Sequence, residues 1–355
     1  MKKFMLAVIA LVGVTACASE PAPAPQEKTQ GFALPAPITN NAVALLDGTI
    51  YSFNGLRKGK SWVDTSHSAT ACRIADAACQ PLPDVPVPQG RLASAAVAAG
   101  GKIYIFGGYT VEQDGDEVST PEVFAFNPAD NSYARVADMP TPVDDMVALS
   151  YADRYIFLIS GWHDEGNVSV VQLYDTQTDS WQEATAFPGT PVFGHAGGIA
   201  GNSMIVAGGT AVLGLVDGKR KFGAINLAWR GEIDPANPAR ISWRGVKPLP
   251  GNGLYRAAAV GDNAGNRILF AGGANAAYNY DGIGYDGTPA EAAQAVFAYD
   301  LGTDKWIGLG NLAAPAMDLR GGIWHDGTLW LVGGMDQARE VTARIMAWRP
   351  VSKEN

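Results

Sequence analysis

The stretch Ile103-Tyr104-Ile105-Phe106-Gly107-Gly108 decides the fold. β-Branched and aromatic residues favour an extended chain, and the glycine pair ends it where ordinary residues fit poorly. The pattern returns as Ile205-Val206-Ala207-Gly208-Gly209, Ile268-Leu269-Phe270-Ala271-Gly272-Gly273 and Leu329-Trp330-Leu331-Val332-Gly333-Gly334, and in weaker form as Phe53-Asn54-Gly55 and Ile159-Ser160-Gly161. The first members of the six pairs stand at 54, 107, 160, 208, 272 and 333, steps of 53, 53, 48, 64 and 61 residues. A repeat of this size cannot bury its own apolar face, so neighbouring copies must cover one another.

Other features keep step. Roughly 20 to 25 residues after most pairs comes an apolar strand with a late aromatic: Val123-Phe124-Ala125-Phe126, Val171-Gln172-Leu173-Tyr174, Val296-Phe297-Ala298-Tyr299 and Ile345-Met346-Ala347-Trp348. An aromatic and a proline then recur seven residues apart, as Tyr133 with Pro140, Trp181 with Pro188 and Trp243 with Pro250. Glycine pair, aromatic strand and aromatic-proline step in one fixed order resemble the kelch family over about residues 33 to 350. The resemblance implies an all-β, six-bladed kelch β-propeller with four antiparallel strands per blade. Phe32-Ala33-Leu34-Pro35-Ala36-Pro37 repeats the blade-ending pattern of Asp138-Met139-Pro140-Thr141-Pro142 but precedes the first glycine copy, whereas the last copy stops at Trp348-Arg349-Pro350 without one. The N-terminal segment is therefore expected to supply the outer strand of the last blade and close the ring.

The chain has 355 residues, 47% hydrophobic and 17% charged, with Gly 42 and Pro 22, a composition suited to a large core of short strands and turns. Net charge is −9, and −11 once Lys2 and Lys3 leave with a leader, which argues against nucleic acid and offers no polybasic patch for membranes. Lys2 and Lys3, the apolar run Met5 to Val14 and Thr15-Ala16-Cys17 read as an export signal too short to span a bilayer. Val14-Thr15-Ala16-Cys17 also resembles the bacterial lipobox, which implies a signal peptide over 1–17 and a lipid on Cys17. With Ala18 after it, the expected destination is the outer membrane, facing the periplasm. Residues 18–31 have the composition of a disordered tether, and 32–355 form the propeller.

Only Cys72 and Cys79 remain, and in an oxidising compartment a lone close pair reads most simply as a disulfide. Cys79 stands seven residues before Pro86, in the slot that tryptophan or tyrosine fills in other blades. No third thiol or histidine cluster points to a metal, and no cofactor motif is present.

Blade order decides which residues can meet. If the second strand of each blade ends at the glycine pair on a face termed the mouth, that face also holds the starts of the first strands. Counting 14 to 17 residues back from the second glycine gives Asn41, Arg91, Asp145, His195, Arg256 and Arg320, all polar. Kelch propellers commonly present arginines here, around the channel entrance. Guanidinium groups grip carboxylates through paired hydrogen bonds, so this set suits a carboxylate or a polyhydroxylated molecule. The same side chains can equally pair with one another and seal the channel. Loops on that face add Trp162-His163-Asp164-Glu165-Gly166 and a long segment containing Tyr278, Tyr280 and Tyr285, whose composition suits stacking and adaptable hydrogen bonding. Lys219, Arg220 and Lys221 could attract an acidic ligand.

No hydrolase elbow, phosphate loop, dinucleotide fingerprint or zinc-protease motif appears. The copper centre of galactose-oxidase-like kelch enzymes needs a free cysteine beside a tyrosine, which this chain does not offer if Cys72 bonds Cys79. Exported kelch sialic-acid mutarotases are the closer comparison: Arg91, Arg256 and Arg320 would grip, and His163, Asp164, Glu165 or His195 would move protons. The leading expectation is a lipid-anchored propeller that binds a carbohydrate or other acidic small ligand at the channel mouth. A sugar mutarotase or epimerase with His163 and Glu165 as catalytic candidates is the alternative, and a protein-interaction platform the second.

Overall fold

A computed structural model describes residues 31–251 and 254–350. The predicted signal peptide, Cys17 and the tether as far as residue 30 lie outside the described residues. Six four-stranded antiparallel sheets follow one another along the chain, each ordered first to fourth strand. Blade 1 comprises Ala42–Leu46, Thr49–Leu56, Thr65–Arg73 and Ala78–Leu82; blade 2, Ala95–Ala99, Lys102–Phe106, Val123–Asn127 and Ser132–Val136; blade 3, Val147–Tyr151, Tyr155–Ile159, Val171–Asp175 and Ser180–Glu183. Blade 4 comprises Ala196–Ala200, Ser203–Ala207, Ala228–Asp234 and Asn237–Val246; blade 5, Ala258–Asp262, Arg267–Ala271, Ala295–Asp300 and Lys305–Asn311. Blade 6 has Ile323–His325, Thr328–Val332 and Arg344–Trp348, and its fourth strand is Phe32–Ala33 from the start of the described chain. Phe32 pairs with Ile345 and Ala33 with Arg344, while the Leu34 N–H donates to the Ala343 carbonyl at 2.7 Å. The ring thus closes as the blade-ending prolines predict.

The core is distributed between blades. Tyr51 and Phe53 of blade 1 pack with Ile103, Ile105 and Phe126 of blade 2. Ile205 of blade 4 packs with Ile268 and Phe270 of blade 5, and Ile50 of blade 1 with Trp330 and Ile345 of blade 6. No sheet buries both faces alone, which is why the repeats must stack.

The repeated sequence features acquire physical reasons. Gly107 and Gly108, Gly208 and Gly209, Gly272 and Gly273, and Gly333 and Gly334 all have positive φ. A Cβ on Gly108 would lie 2.5 Å from the Leu92 carbonyl oxygen, so both conformation and space demand glycine. In the weaker copies Asn54 and Ser160 adopt positive φ at the first position instead. Each fourth-strand aromatic ties its blade to the one before: Tyr133 Oη donates to Pro83 O, and the indole N–H groups of Trp181, Trp243 and Trp306 donate to the carbonyls of Ala137, Thr185 and Lys247. Cys79 occupies this slot in blade 1 and is disulfide-bonded to Cys72, its cross-strand partner.

Candidate functional site

Six residues with positive φ, one per blade, stand just before the first strands: Asn40, Ala93, Asp145, Gly194, Arg256 and Asp318. They form an annulus of peptide groups around the axis. Asp145 N–H donates to Ala93 O at 3.1 Å, Gly194 N–H to Asp145 O at 2.9 Å, and Arg256 N–H to Gly194 O at 2.7 Å. Leu319 N–H on Arg256 O and Asn40 Oδ1 accepting from Ala93 N–H extend the ring, and Asn40 Nδ2 closes it by donating to Asp318 Oδ1 at 3.4 Å. Left-handed backbone turns the chain sharply from the outer blade into the channel strand. Asparagine, aspartate and glycine tolerate that geometry best.

Side chains of this annulus knit a closed ionic plug. Arg256 Nη2 donates to Asp145 Oδ2 at 2.7 Å and Nη1 to Asp318 Oδ1 at 3.2 Å. Arg320 Nη1 pairs with Asp145 Oδ1, and Arg320 Nε donates to Asn40 Oδ1 at 3.0 Å. Thr39 Oγ1 donates to Asp318 Oδ2 at 2.6 Å, and the side chains of all these residues, Arg320 included, are buried. Two guanidinium groups facing two carboxylates leave little net charge on the axis. Burial lowers the Arg320 pKa to about 10, so it remains a cation at neutral pH.

The plug divides the axis into two cavities. Below it, a channel of about 290 Å³ runs among the first strands. Above it, on the mouth side, opens a cup of about 540 Å³. Trp162, Phe222, Tyr280 and Tyr285 supply aromatic surface, Lys219 and Arg220 stand at the lip, and Glu117, Asp144, Asp145 and Arg256 contribute to its polar lining. The connections after the glycine pairs build this cup. Blade 4 contributes the hairpin Thr210–Val216 with Lys219–Ala224, whose Phe222 stacks on Tyr285 of blade 5 at 4.1 Å between centroids. Arg220 lies over the Trp162 ring.

Asp144 is the polar centre of the cup. It is 3% exposed and accepts from Ser119 Oγ at 2.7 Å. Burial, reinforced by the nearby Glu117 charge, raises its pKa to about 7 against the pull of Ser119, Arg320 and Arg256. Glu117 points into the cup, and the surrounding protein raises its carboxyl pKa even though part of its surface stays open to solvent. Asp144 can therefore exchange a proton near neutrality beside a second carboxyl group.

The expected site residues divide sharply. Asp145 and Arg256 line the cup, but their charged groups are engaged in the plug, as are those of Arg320. Arg91 sits away from the axis, buried and paired with Glu122 at 2.9 Å. Asn41 is buried in blade 1 against Ser52 Oγ. His195 belongs to the lower channel: its Nε2 is held on Ile159 O at 2.9 Å, and burial lowers its pKa to about 4. Tyr280 and Tyr285 face the cup, whereas Tyr278 is wholly buried, its ring against Tyr255 and below the Arg256 guanidinium. His163 and Glu165 lie on the blade 3 hairpin Trp162–His163 with Gly166–Asn167, and Trp162 is its only residue among those lining the cup.

Sequence reasoning missed Asp144, Glu117 and Asp318. A uniform offset of fifteen to seventeen residues before the second glycine reaches Asn40, Ala93, Asp145, Gly194, Arg256 and Asp318. Requiring residues that tolerate positive φ would have found Asn40 and Asp318.

Closed sixfold stacking with a plugged axis and a cup at one end defines a β-propeller. The chain is a kelch-repeat propeller. A Kelch motif model matches residues 90–140. Kelch-like protein 15 of Gallus gallus is 27% identical over 107 residues, 30% of this chain and 22% of that protein. Beta-scruin of Limulus polyphemus is 27% identical over 239 residues, 66% of this chain and 24% of that protein. The chain thus spans about a fifth to a quarter of the length of these two relatives. The solved structure of YjhT superposes with a TM-score of 0.70 at 16% identity, covering 88% of this chain and 95% of that one, which is a likeness of fold.

Proposed function

We propose that this propeller binds a carbohydrate carrying an acidic group, or a related acidic small molecule, in the mouth cup. The observation that carries the reading is the cup itself: about 540 Å³, with aromatic surface from Trp162, Phe222, Tyr280 and Tyr285 and a floor with carboxyl groups. Flat rings suit the apolar faces of sugars, Asp144 and Glu117 suit hydroxyl groups, and Lys219 and Arg220 at the lip suit an anionic substituent. The grip on the anion falls to these two lip residues, since the axial arginines are already paired. We further propose the lipid anchor on Cys17 and a periplasm-facing outer-membrane location. On that reading, Cys17→Ser should move the protein from the membrane fraction to the soluble one.

Titration calorimetry of the purified protein with neutral sugars, uronic acids and sialic acids tests the ligand. Binding of an acidic sugar that Trp162→Ala weakens about tenfold supports it, a loss of the size expected for one aromatic contact. Absence of binding across the panel defeats it. A second reading, mutarotation, is favoured by the near-neutral pKa of Asp144 beside Glu117. Ring opening needs one group to protonate the ring oxygen and another to take the anomeric hydroxyl proton. Proton NMR of anomeric exchange tests it: exchange must accelerate with the wild type and fall back with Asp144→Asn.

A further inference from the structure

We propose that two copies of this chain associate mouth to mouth, each basic blade loop of one copy lying on an acidic blade loop of the other. Among the described residues eight large apolar side chains stand exposed, and all eight lie on connections between second and third strands, which form the mouth face. They include Trp62 on blade 1, Val118 on blade 2, Leu213, Leu215 and Val216 on blade 4, and Tyr285 on blade 5. Blades 3 and 6 contribute none. Apolar side chains confined to one face mark an interaction surface.

Charge on the same connections is sorted by blade. On blade 4, Lys219, Arg220 and Lys221 outnumber Asp217; on blade 1, Arg57, Lys58 and Lys60 outnumber Asp64, with Lys58 also paired to Glu340 of blade 6 and Lys60 donating to the carbonyls of Asp281 and Arg339. Blade 2 carries Glu112, Asp114, Asp116 and Glu117 with no cation nearby in sequence, and blade 5 carries Asp281, Asp286 and Glu291, likewise with none. An anionic membrane would attract the first pair of blades and repel the second. The matching partner carries the same blocks in reversed order around the ring.

A second copy does so. A twofold axis lying across the mouth reverses the order of the blades. With that axis through blades 3 and 6, blade 4 of one copy meets blade 2 of the other, and blade 1 meets blade 5. With the axis midway between blades 1 and 2, blade 4 meets blade 5 and blade 1 meets blade 2. In both registers the two basic loops face acidic ones with apolar side chains on both sides, whereas the blade 3 turn with Asp164 and Glu165 meets its own copy in the first register and the blade 6 loop, with Asp336, Arg339 and Glu340, in the second. Complementary charge on blades 1, 2, 4 and 5 admits these two registers and no others, while the apolar groups supply affinity. This inference goes beyond ligand binding: the two cups become one shared chamber.

The test needs no ligand, so its failure is separable from that of the binding proposal. Full-length Cys17→Ser protein is analysed by light scattering across a concentration series, at low and high salt. Expected is a concentration-dependent dimer that dissociates in high salt and in Leu213→Asp/Val216→Asp. One variant, Arg57→Glu/Lys58→Glu/Lys219→Glu/Lys221→Glu, and another, Glu112→Lys/Asp114→Lys/Asp116→Lys/Asp286→Lys/Glu291→Lys, each of which changes the sign of both its loops, should each be monomeric with unchanged circular dichroism. Mixed in equal amounts they should form a heterodimer, because each reversed loop then meets its complement. A monomeric wild type overturns the proposal, whether or not it sediments with phosphatidylglycerol vesicles. So does a dimer that survives either set of reversals, or a mixture that stays monomeric.

Discussion

Arg256 of blade 5 reaches past blade 4 to Asp145 of blade 3, its Nη2 2.7 Å from Asp145 Oδ2, with both side chains almost wholly buried. Only groups beside the axis can skip a blade in this way. The contact makes the arginine a strut of the propeller as well as part of the cup wall.

Removing one partner of such a network leaves buried charge uncompensated, at a cost of about 3–5 kcal/mol. Arg256→Met should therefore lower stability by that amount in urea or guanidinium unfolding. A loss below about 1 kcal/mol would show that the plug carries no structural load.

Asp144 makes stability pH-dependent with a sign opposite to the usual carboxylate. Its pKa is about 7 folded and about 3.9 unfolded, so the folded state holds the proton longer. Its stabilising contribution is complete below about pH 4 and is lost as pH rises to about 7, with an upper bound of about 4 kcal/mol. Asp144→Asn should be more stable than wild type at pH 8 and should gain less, or nothing, at pH 4, read by denaturation across that range.

His195 acts in the other direction. Burial holds its pKa at about 4 against about 6.5 unfolded, so its contribution is present above about pH 6.5 and is lost as pH falls towards 4. Replacing it with glutamine should remove a destabilisation of up to about 3 kcal/mol from the acid limb. An acid limb identical in wild type and His195→Gln would refute this.

The Cys72–Cys79 bridge closes a short hairpin loop, sequence separation 7. Chain entropy assigns such a loop about 2.5 kcal/mol. Cys72→Ser/Cys79→Ser should lose about that much stability, and reduction of the wild type should reproduce the loss.

Ring closure rests on few residues. Leu34 and Ile38 are buried against blade 6, and Phe32 packs edge-on against Trp330. Deleting residues 32–38 should abolish cooperative thermal unfolding, because it exposes the Arg344–Trp348 strand and its apolar partners at once.

The glycine pairs made the blade number readable because positive φ at consecutive positions is a local demand that few residues other than glycine meet. The aromatic-proline step was readable for a similar reason: one ring, as in Trp181, serves one carbonyl of the preceding blade. The N-terminal closing strand followed from the same arithmetic. The mouth residues were legible only in part, since a count of 14 to 17 residues leaves the side-chain direction free. A shift of one or two positions sent Arg91 outward to Glu122 and His195 down the channel.

Local chemistry written along the chain thus determined the repeat, the six blades, the Cys72–Cys79 pairing and the polar character of the mouth. The tertiary structure alone decided that Arg256 and Arg320 spend their charge on Asp145 and Asp318, and that Asp144 becomes a near-neutral acid. Those properties depend on distances between residues of different blades and on the water excluded between them. Neither quantity is a property of any single stretch of sequence.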